Sequence, residues 1–185
     1  AQSNTITSVL SDIVNSLPSI AEQIKKPAPL VTIDDSNIRI TTEAHELLNN
    51  VFAHLLRNSL DHGIEPPEER VAANKNPQGT ISIYHSINQE QLYIHIKDDG
   101  RGINIDRLLS KGIEMGKWKA GETPKTQEIA NLIFDSGTST KEEVSAISGR
   151  GVGMDAVKQF LQQAGGDIKL MLLEDKKENC SYVLF

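Results

Sequence analysis

Three short stretches, far apart in the chain, carry residue types that bind nucleotides and cations. They are HLLRNSLDHGIE (His54–Glu65), DDGRG (Asp98–Gly102) and GRGVGM (Gly149–Met154). The first supplies an amide and several polar groups, the second a carboxylate beside glycines, and the third a glycine-rich turn. Taken in this order, they predict the parts of one site for ATP and a divalent cation.

A polar stripe runs along the first stretch. His54, Arg57, Asn58 and Asp61 have the i, i+3, i+4, i+7 spacing that places side chains on one face of a helix. The plain alternative is a solvated face, but such faces usually carry Lys and Glu. An Asn amide oxygen suits Mg²⁺, and a His can orient or accept a proton near neutrality.

The second stretch follows a predicted strand. The Asp98 carboxylate is purely an acceptor, so it can hold the exocyclic amine of adenine. Gly100 and Gly102 allow close backbone approach. A polar turn without function remains the alternative, because this pattern is common by itself.

The third stretch opens the last long predicted helix. Free amides at a helix N-terminus, together with the helix dipole, bind phosphate. This turn is not a Walker loop, since no GK[ST] follows, and the alternatives are a flexible loop or a lid over nucleotide. Its residues are Gly149, Arg150, Gly151, Val152, Gly153 and Met154.

Hydrophobic periodicity predicts the elements that position these stretches. We expect a helix over 3–25 that is interrupted at Pro18, two short strands at 30–33 and 37–40, and a helix over 43–62 with Gly63 as its cap. Further predicted elements are strands at 80–87 and 92–97, helices at 105–115, 128–134 and 152–164, and strands at 168–173 and 182–185. Strands that bunch in hairpins between helices favour an α/β sandwich over a doubly wound sheet.

Composition excludes several classes of protein. A net charge of −6 and 4% aromatic residues argue against a nucleic-acid binder. Cys180 is the sole cysteine, so an intrachain disulfide is excluded. We see no apolar run long enough to span a bilayer and no signal peptide, and we expect a cytoplasmic protein without direct membrane insertion.

The three stretches resemble, in order, the asparagine box and two glycine boxes of the GHKL ATPases, the superfamily of gyrase, Hsp90, MutL and the histidine kinases. The sequences of His54–Glu65 and Ser148–Asp155 are most similar to those in the ATP-binding catalytic domain of the chemotaxis kinases of the CheA type. The resemblance covers about residues 47–173. It implies a two-layer α/β sandwich of the Bergerat type, with a mixed, mostly antiparallel sheet, helices on one face and an ATP lid. We assign the lid to residues 135–149, which are rich in Ser, Thr, Gly and charged side chains.

The resemblance also implies roles for individual residues. Asn58 would bind Mg²⁺, Asp98 would hold adenine, and Gly100 and Gly102 would lie beside the ring. His54 stands where many relatives carry a carboxylate that works as general base. The residues that match positions near the phosphates are Arg57, His62, Arg107, Lys111, Ser139 and Lys141, and those of the lid hinge and phosphate cradle are Gly149, Gly151 and Gly153.

The implied activity is that of a protein-histidine kinase. It would transfer the γ-phosphoryl group of ATP to a histidine on a separate phosphotransfer domain, which serves a downstream response regulator. The parent protein would dimerise through segments absent here. We expect residues 1–29 to be an N-terminal helix and linker from the end of a preceding domain, and residues 30–185 to be the catalytic domain.

Two alternatives remain open. One is a non-catalytic module that binds nucleotide to switch a partner. The other is an ATP-hydrolysing enzyme of the gyrase or Hsp90 type, which uses a Glu where this chain has His54. The chain departs from the CheA pattern at Thr138, usually Phe, and at Asn179–Ser181, usually Gly-Thr-Thr.

Overall fold

The computed structural model describes residues 4–135 and 153–185. The chain divides into two compact units, Ala1–Arg101 with Phe185, and Gly102–Leu184. No helix in the described parts of the chain is both long and apolar enough to cross a membrane.

The first unit combines helices with a mixed sheet. Strand β1 is parallel to β2, and β2 is antiparallel to β3. Its elements are α1 (Ile6–Asn15), α2 (Leu17–Ile24), β1 (Leu30–Ile33), α3 (Thr42–Asn58), a π-helical turn (Ser59–Gly63), α4 (Pro67–Ala72), β2 (Thr80–Asn88) and β3 (Gln91–Asp98).

The β2–β3 hairpin determines the position of Asp98, the last residue of β3. Gln89 and Glu90 form its two-residue loop with φ of 50° and 64°, as a primed hairpin turn requires. The register then pairs Asp98 with Ile81. Ile81 and Ile83 are buried while Tyr84 is exposed, because successive side chains point to opposite faces.

The second unit has its own apolar core. Its elements are α5 (Ile105–Glu114), α6 (Thr126–Ala130) with a following 3₁₀ turn (Asn131–Phe134), α7 (Met154–Gln163), β4 (Leu170–Leu172) and β5 (Tyr182–Leu184). Strands β4 and β5 are antiparallel. Gly112 packs so tightly against the Trp118 ring that a Cβ would collide with it.

The predicted α/β class with a mixed sheet is confirmed, as are the main helices. The predicted interruption of the N-terminal helix at Pro18 is confirmed, since Pro18, which lacks an N–H, lies in the first turn of α2. Two details are wrong. Residues 37–40 form no strand, because Arg39 makes only an isolated bridge to Thr5. Gly63 does not have the positive φ of a glycine cap, because α3 continues into a π-helical turn that includes Gly63. The boundary at residue 29 stays a prediction.

Candidate functional site

The polar stripe of α3 lies on a helix whose other face is buried. Thr41 begins the helix by accepting a hydrogen bond from the Ala44 N–H at 3.1 Å. The buried residues are Val51, Phe52, Leu55 and Leu56. The polar stripe itself is less deeply buried, since the side chains of His54, Arg57 and Asn58 are only partly buried. The structure therefore keeps these three predicted residues together near the end of α3.

The regular helix stops directly after Asn58, and this changes the rest of the stripe. Residues Ser59–Gly63 form a π-turn, in which the Ile64 N–H donates to the Ser59 carbonyl oxygen at 2.7 Å. Asp61 lies inside this turn, so the 3.6-residue spacing that assigned it to the stripe ends before it. The His62 side chain is 46% exposed, with Nε2 3.5 Å from Asp61 Oδ2. Such π-turns occur frequently at functional sites.

Lys26 closes the π-turn from another part of the chain. Its Nζ donates to the carbonyl oxygens of Leu60 at 2.8 Å, Asp61 at 3.0 Å and Ile64 at 3.2 Å. Burial, followed by the nearby Arg101 charge, lowers the pKa of Lys26. Sequence reasoning had placed Lys26 in a linker, and no local pattern marks it as a cap.

Asp98 lies beside the π-turn. Its Oδ1 accepts from the Gly100 N–H at 2.9 Å, and the Ser59 hydroxyl donates to the same carboxylate. Burial raises the pKa of Asp98, and the charges of Asp99 and Glu65 add to this, while the two hydrogen bonds oppose it. Asp98 is thus a partly buried hydrogen-bond acceptor beside Ser59, the residue that follows Asn58.

The glycines explain how closely these segments approach. A Cβ on Gly100 would collide with the carbonyl oxygen of Gly63, and a Cβ on Gly63 would lie 3.0 Å from Asp98 Oδ2. The predicted close approach at Gly100 is thus present, but its partner is protein backbone. Gly63 lies against both Asp98 and Gly100. Sequence reasoning missed this proximity, because it interpreted Gly63 as a helix cap.

A charged cluster supports the same loop. The fully buried Arg70 and the partly buried Lys75 contact Glu65 and the Asp99–Gly100 backbone. The sequence signals only a polar segment at 66–77. A single buried arginine produces no repeating pattern in the sequence, so only the tertiary structure reveals this cluster.

The second unit carries other predicted residues. Gly102 has φ of 71°, and a Cβ there would collide with the Cys180 carbonyl oxygen. Arg107 is exposed and Lys111 partly buried on α5, which Asn104 caps by accepting from the Arg107 N–H at 3.0 Å. Gly153 is the N-cap of α7, and Met154 is its first residue.

The remaining predicted residues lie outside the described part of the chain. They are Ser139, Lys141, Gly149, Arg150, Gly151 and Val152. Their roles, and the lid assigned to 135–149, stay predictions.

The side-chain oxygen of Asn58 is a type of ligand that Mg²⁺ accepts. Among residues 4–135 and 153–185, no cluster of three or more His, Cys, Asp or Glu side chains could hold a metal ion. Mg²⁺ keeps several waters and commonly takes one or two protein ligands together with substrate phosphates. A single amide oxygen at Asn58 is compatible with that chemistry.

A family model identifies the family to which the chain belongs. The model of the histidine kinase-, DNA gyrase B-, and HSP90-like ATPases matches residues 43–184, which is more than half of the chain. The chain belongs to this ATPase family. The matched range begins in α3 and ends in β5, so it includes every site residue that the sequence predicted.

Relatives within the ATPase family confirm the resemblance to CheA. The chain is 39% identical over 151 residues to the chemotaxis protein CheA of Rhizobium meliloti, covering 82% of this chain and 20% of that protein. It is 35% identical over 169 residues to CheA of Bacillus subtilis, covering 88% and 25%. The chain thus spans about a fifth to a quarter of the length of these relatives.

A solved structure confirms the ATPase-family fold. The catalytic domain of the histidine kinase ThkA matches with a TM-score of 0.57 at 12% identity, covering 97% of this chain and 90% of that one. At this identity the likeness concerns the fold alone.

Proposed function

We propose that this chain is the ATP-binding catalytic domain of a CheA-like two-component histidine kinase. It binds Mg·ATP and transfers the γ-phosphoryl group to a histidine on a separate phosphotransfer domain. The observation that carries the proposal is the Asp98 carboxylate, held by the Gly100 N–H and the Ser59 hydroxyl beside the end of α3.

Asp98 supplies the recognition of adenine. A carboxylate with one oxygen already engaged by Gly100 keeps acceptor capacity for an exocyclic amine. Guanine presents a carbonyl oxygen at the corresponding position, which a carboxylate repels. The partly buried position of Asp98 strengthens this discrimination, because an unsatisfied polar group costs more away from water.

Asn58 and the cationic side chains serve the phosphates. Mg²⁺, when bound, would neutralise part of the phosphate charge during transfer. Asn58 would contribute its side-chain oxygen to the ion. We assign phosphate contacts to Arg57, His62, Arg107, Lys111, Ser139 and Lys141, and the phosphate cradle to 149–154.

The transfer itself needs little covalent chemistry from this chain. A neutral imidazole nitrogen of the acceptor domain attacks the γ-phosphorus, the bond from phosphorus to the bridging oxygen breaks, and ADP leaves. We assign to His54, on the polar stripe of α3, the role of orienting or accepting a proton during this step. We infer that a response regulator then takes the phosphoryl group, and that the parent protein is a dimer.

A calorimetric titration with Mg·ATP tests the proposal. We expect saturable binding by the unsubstituted chain and no Mg²⁺-dependent binding by Asn58→Ala. His45→Ala, on the same helix but outside the stripe, is the matched control and should bind normally. Unchanged affinity in Asn58→Ala would refute the metal assignment.

Phosphotransfer is tested separately, with γ-labelled ATP and an added histidine phosphotransfer domain. Label on the acceptor supports the kinase assignment. Binding without transfer would favour a nucleotide-sensing module, and release of free phosphate without acceptor would favour a hydrolase.

A further inference from the structure

Arg70 is a buried cation at the centre of a defined set of acceptors. Its side chain is 1% exposed. Its Nε donates to the Asn76 carbonyl oxygen at 2.6 Å, Nη1 to Glu65 Oε1 at 3.1 Å and the Asp99 carbonyl oxygen at 3.2 Å, and Nη2 to Asp99 Oδ2 at 2.9 Å. The planar guanidinium holds these acceptors in one fixed arrangement.

Lys75 adds a second cation to the same loop. Its Nζ donates to Glu65 Oε2 at 2.7 Å, to the Asp99 carbonyl oxygen at 3.1 Å and to the Gly100 carbonyl oxygen at 3.0 Å. Burial alone would raise the pKa of Glu65, but the Lys75 hydrogen bond and the charges of Lys75 and Arg70 lower it. Glu65 is thus an anion that both cations share.

These contacts fix the peptides that follow Asp98. The carbonyl oxygens of Asp99 and Gly100 are held by the two cations, so the planes of the adjacent peptides are set. The Asp99 side chain accepts from the Thr80 N–H at 2.8 Å, which joins the loop to β2. The Gly100 N–H belongs to one of these peptides, and it is the group that holds Asp98 Oδ1.

We propose that Arg70 and Lys75 are positioning residues for adenine recognition. They act through the Asp99–Gly100 backbone on the orientation of the Asp98 carboxylate and do not touch the nucleotide. The inference rests on the proposed function, because it concerns the nucleotide that Asp98 binds.

Lys75 provides the sharper test, since its side chain is one-third exposed and its loss leaves Arg70 to neutralise Glu65. We expect Lys75→Met to lower the affinities for adenosine and for Mg·ATP by the same factor, about 10-fold, because charge-assisted hydrogen bonds are lost. Adenosine lacks phosphate, so an equal loss locates the effect at the base. Lys75→Arg should restore both affinities. The control is Lys97→Met, at an exposed position of β3, which should change neither affinity.

Two outcomes would overturn the inference. Equal affinities for Lys75→Met and the unsubstituted chain would show that the loop needs no such support. A loss confined to Mg·ATP would make Lys75 a phosphate contact. If the unsubstituted chain bound no Mg·ATP, the proposed function would fail first, and this result differs from both.

Arg70→Lys tests the buried cation without removing its charge. A lysine cannot reach the Glu65 and Asp99 carboxylates and two carbonyl oxygens together. We expect a folded protein by circular dichroism with a reduced preference for ATP over GTP. An unaltered preference in the folded variant would contradict a positioning role, because a merely stabilising residue would lower the melting temperature alone.

Discussion

The Arg101 N–H donates a 2.8 Å hydrogen bond to the carbonyl oxygen of Gly63. Gly63 is the last residue of the π-turn, and Arg101 lies three residues after Asp98. This bond joins two stretches that are far apart in sequence. It also explains why the loop after β3 tolerates no side chain at Gly100, since the same carbonyl oxygen occupies the space of a Cβ.

Gly100→Ala should therefore damage both stability and binding. The new methyl group can be accommodated only if the π-turn or the loop moves, which typically costs about 1–3 kcal/mol. We expect a lower free energy of unfolding in urea and strongly reduced affinity for Mg·ATP. Gly166→Ala is the control, because a Cβ there meets only ordinary contact with the Leu161 carbonyl oxygen at 3.6 Å. Equal effects of the two substitutions would contradict the predicted collision.

Asp98→Asn should weaken adenine recognition while stabilising the fold. Burial raises the pKa of Asp98 above its ordinary value of 3.8, so the folded chain retains a proton that the unfolded chain has lost. The free energy of unfolding contributed by this group consequently falls as pH rises through the window above 3.8. An uncharged Asn removes that dependence.

Two measurements check the Asp98 prediction. Thermal melts across this window and up to neutral pH should show the variant gaining stability over the parent chain as pH rises, with the gain levelling off once Asp98 is fully ionised. Competition binding should show a smaller preference for ATP over GTP. A variant that is less stable at neutral pH, or that discriminates the two nucleotides normally, would count against the role of Asp98.

Lys26→Met should destabilise the π-turn. Three carbonyl oxygens would lose their common donor, and we expect a loss of about 1–3 kcal/mol in the free energy of unfolding. Lys25→Met is the adjacent control, since Lys25 is exposed. Hydrogen exchange at the Ile64 N–H, which closes the turn, should accelerate in the Lys26 variant only.

The lid assigned to 135–149 is a prediction of the sequence, and proteolysis tests it. Mg·ATP should slow tryptic cleavage after Lys141 and leave cleavage after the exposed Lys119 unchanged. Identical rates with and without nucleotide at Lys141 would argue against a lid.

Local pattern was sufficient for the elements and for several site residues. The 3.6-residue repeat of apolar side chains located α3, and the alternation of β2 and β3 located Asp98 at the end of a hairpin. These features depend on neighbours within a few residues, so one sequence carries them. The same reasoning failed at residues 37–40, where alternation suggested a strand but the available partner was a single residue, Thr5.

The sequence by itself determined the ATPase family, the mixed α/β class and the polar residues near the end of α3. Only the tertiary structure decided that α3 ends in a π-turn, that Gly63 meets Gly100, and that Arg70, Lys75 and Lys26 hold the surrounding carbonyl oxygens. The physical reason is that these contacts join segments up to 38 residues apart. Their donors are side chains of ordinary local sequence, and their acceptors are backbone groups that every residue possesses.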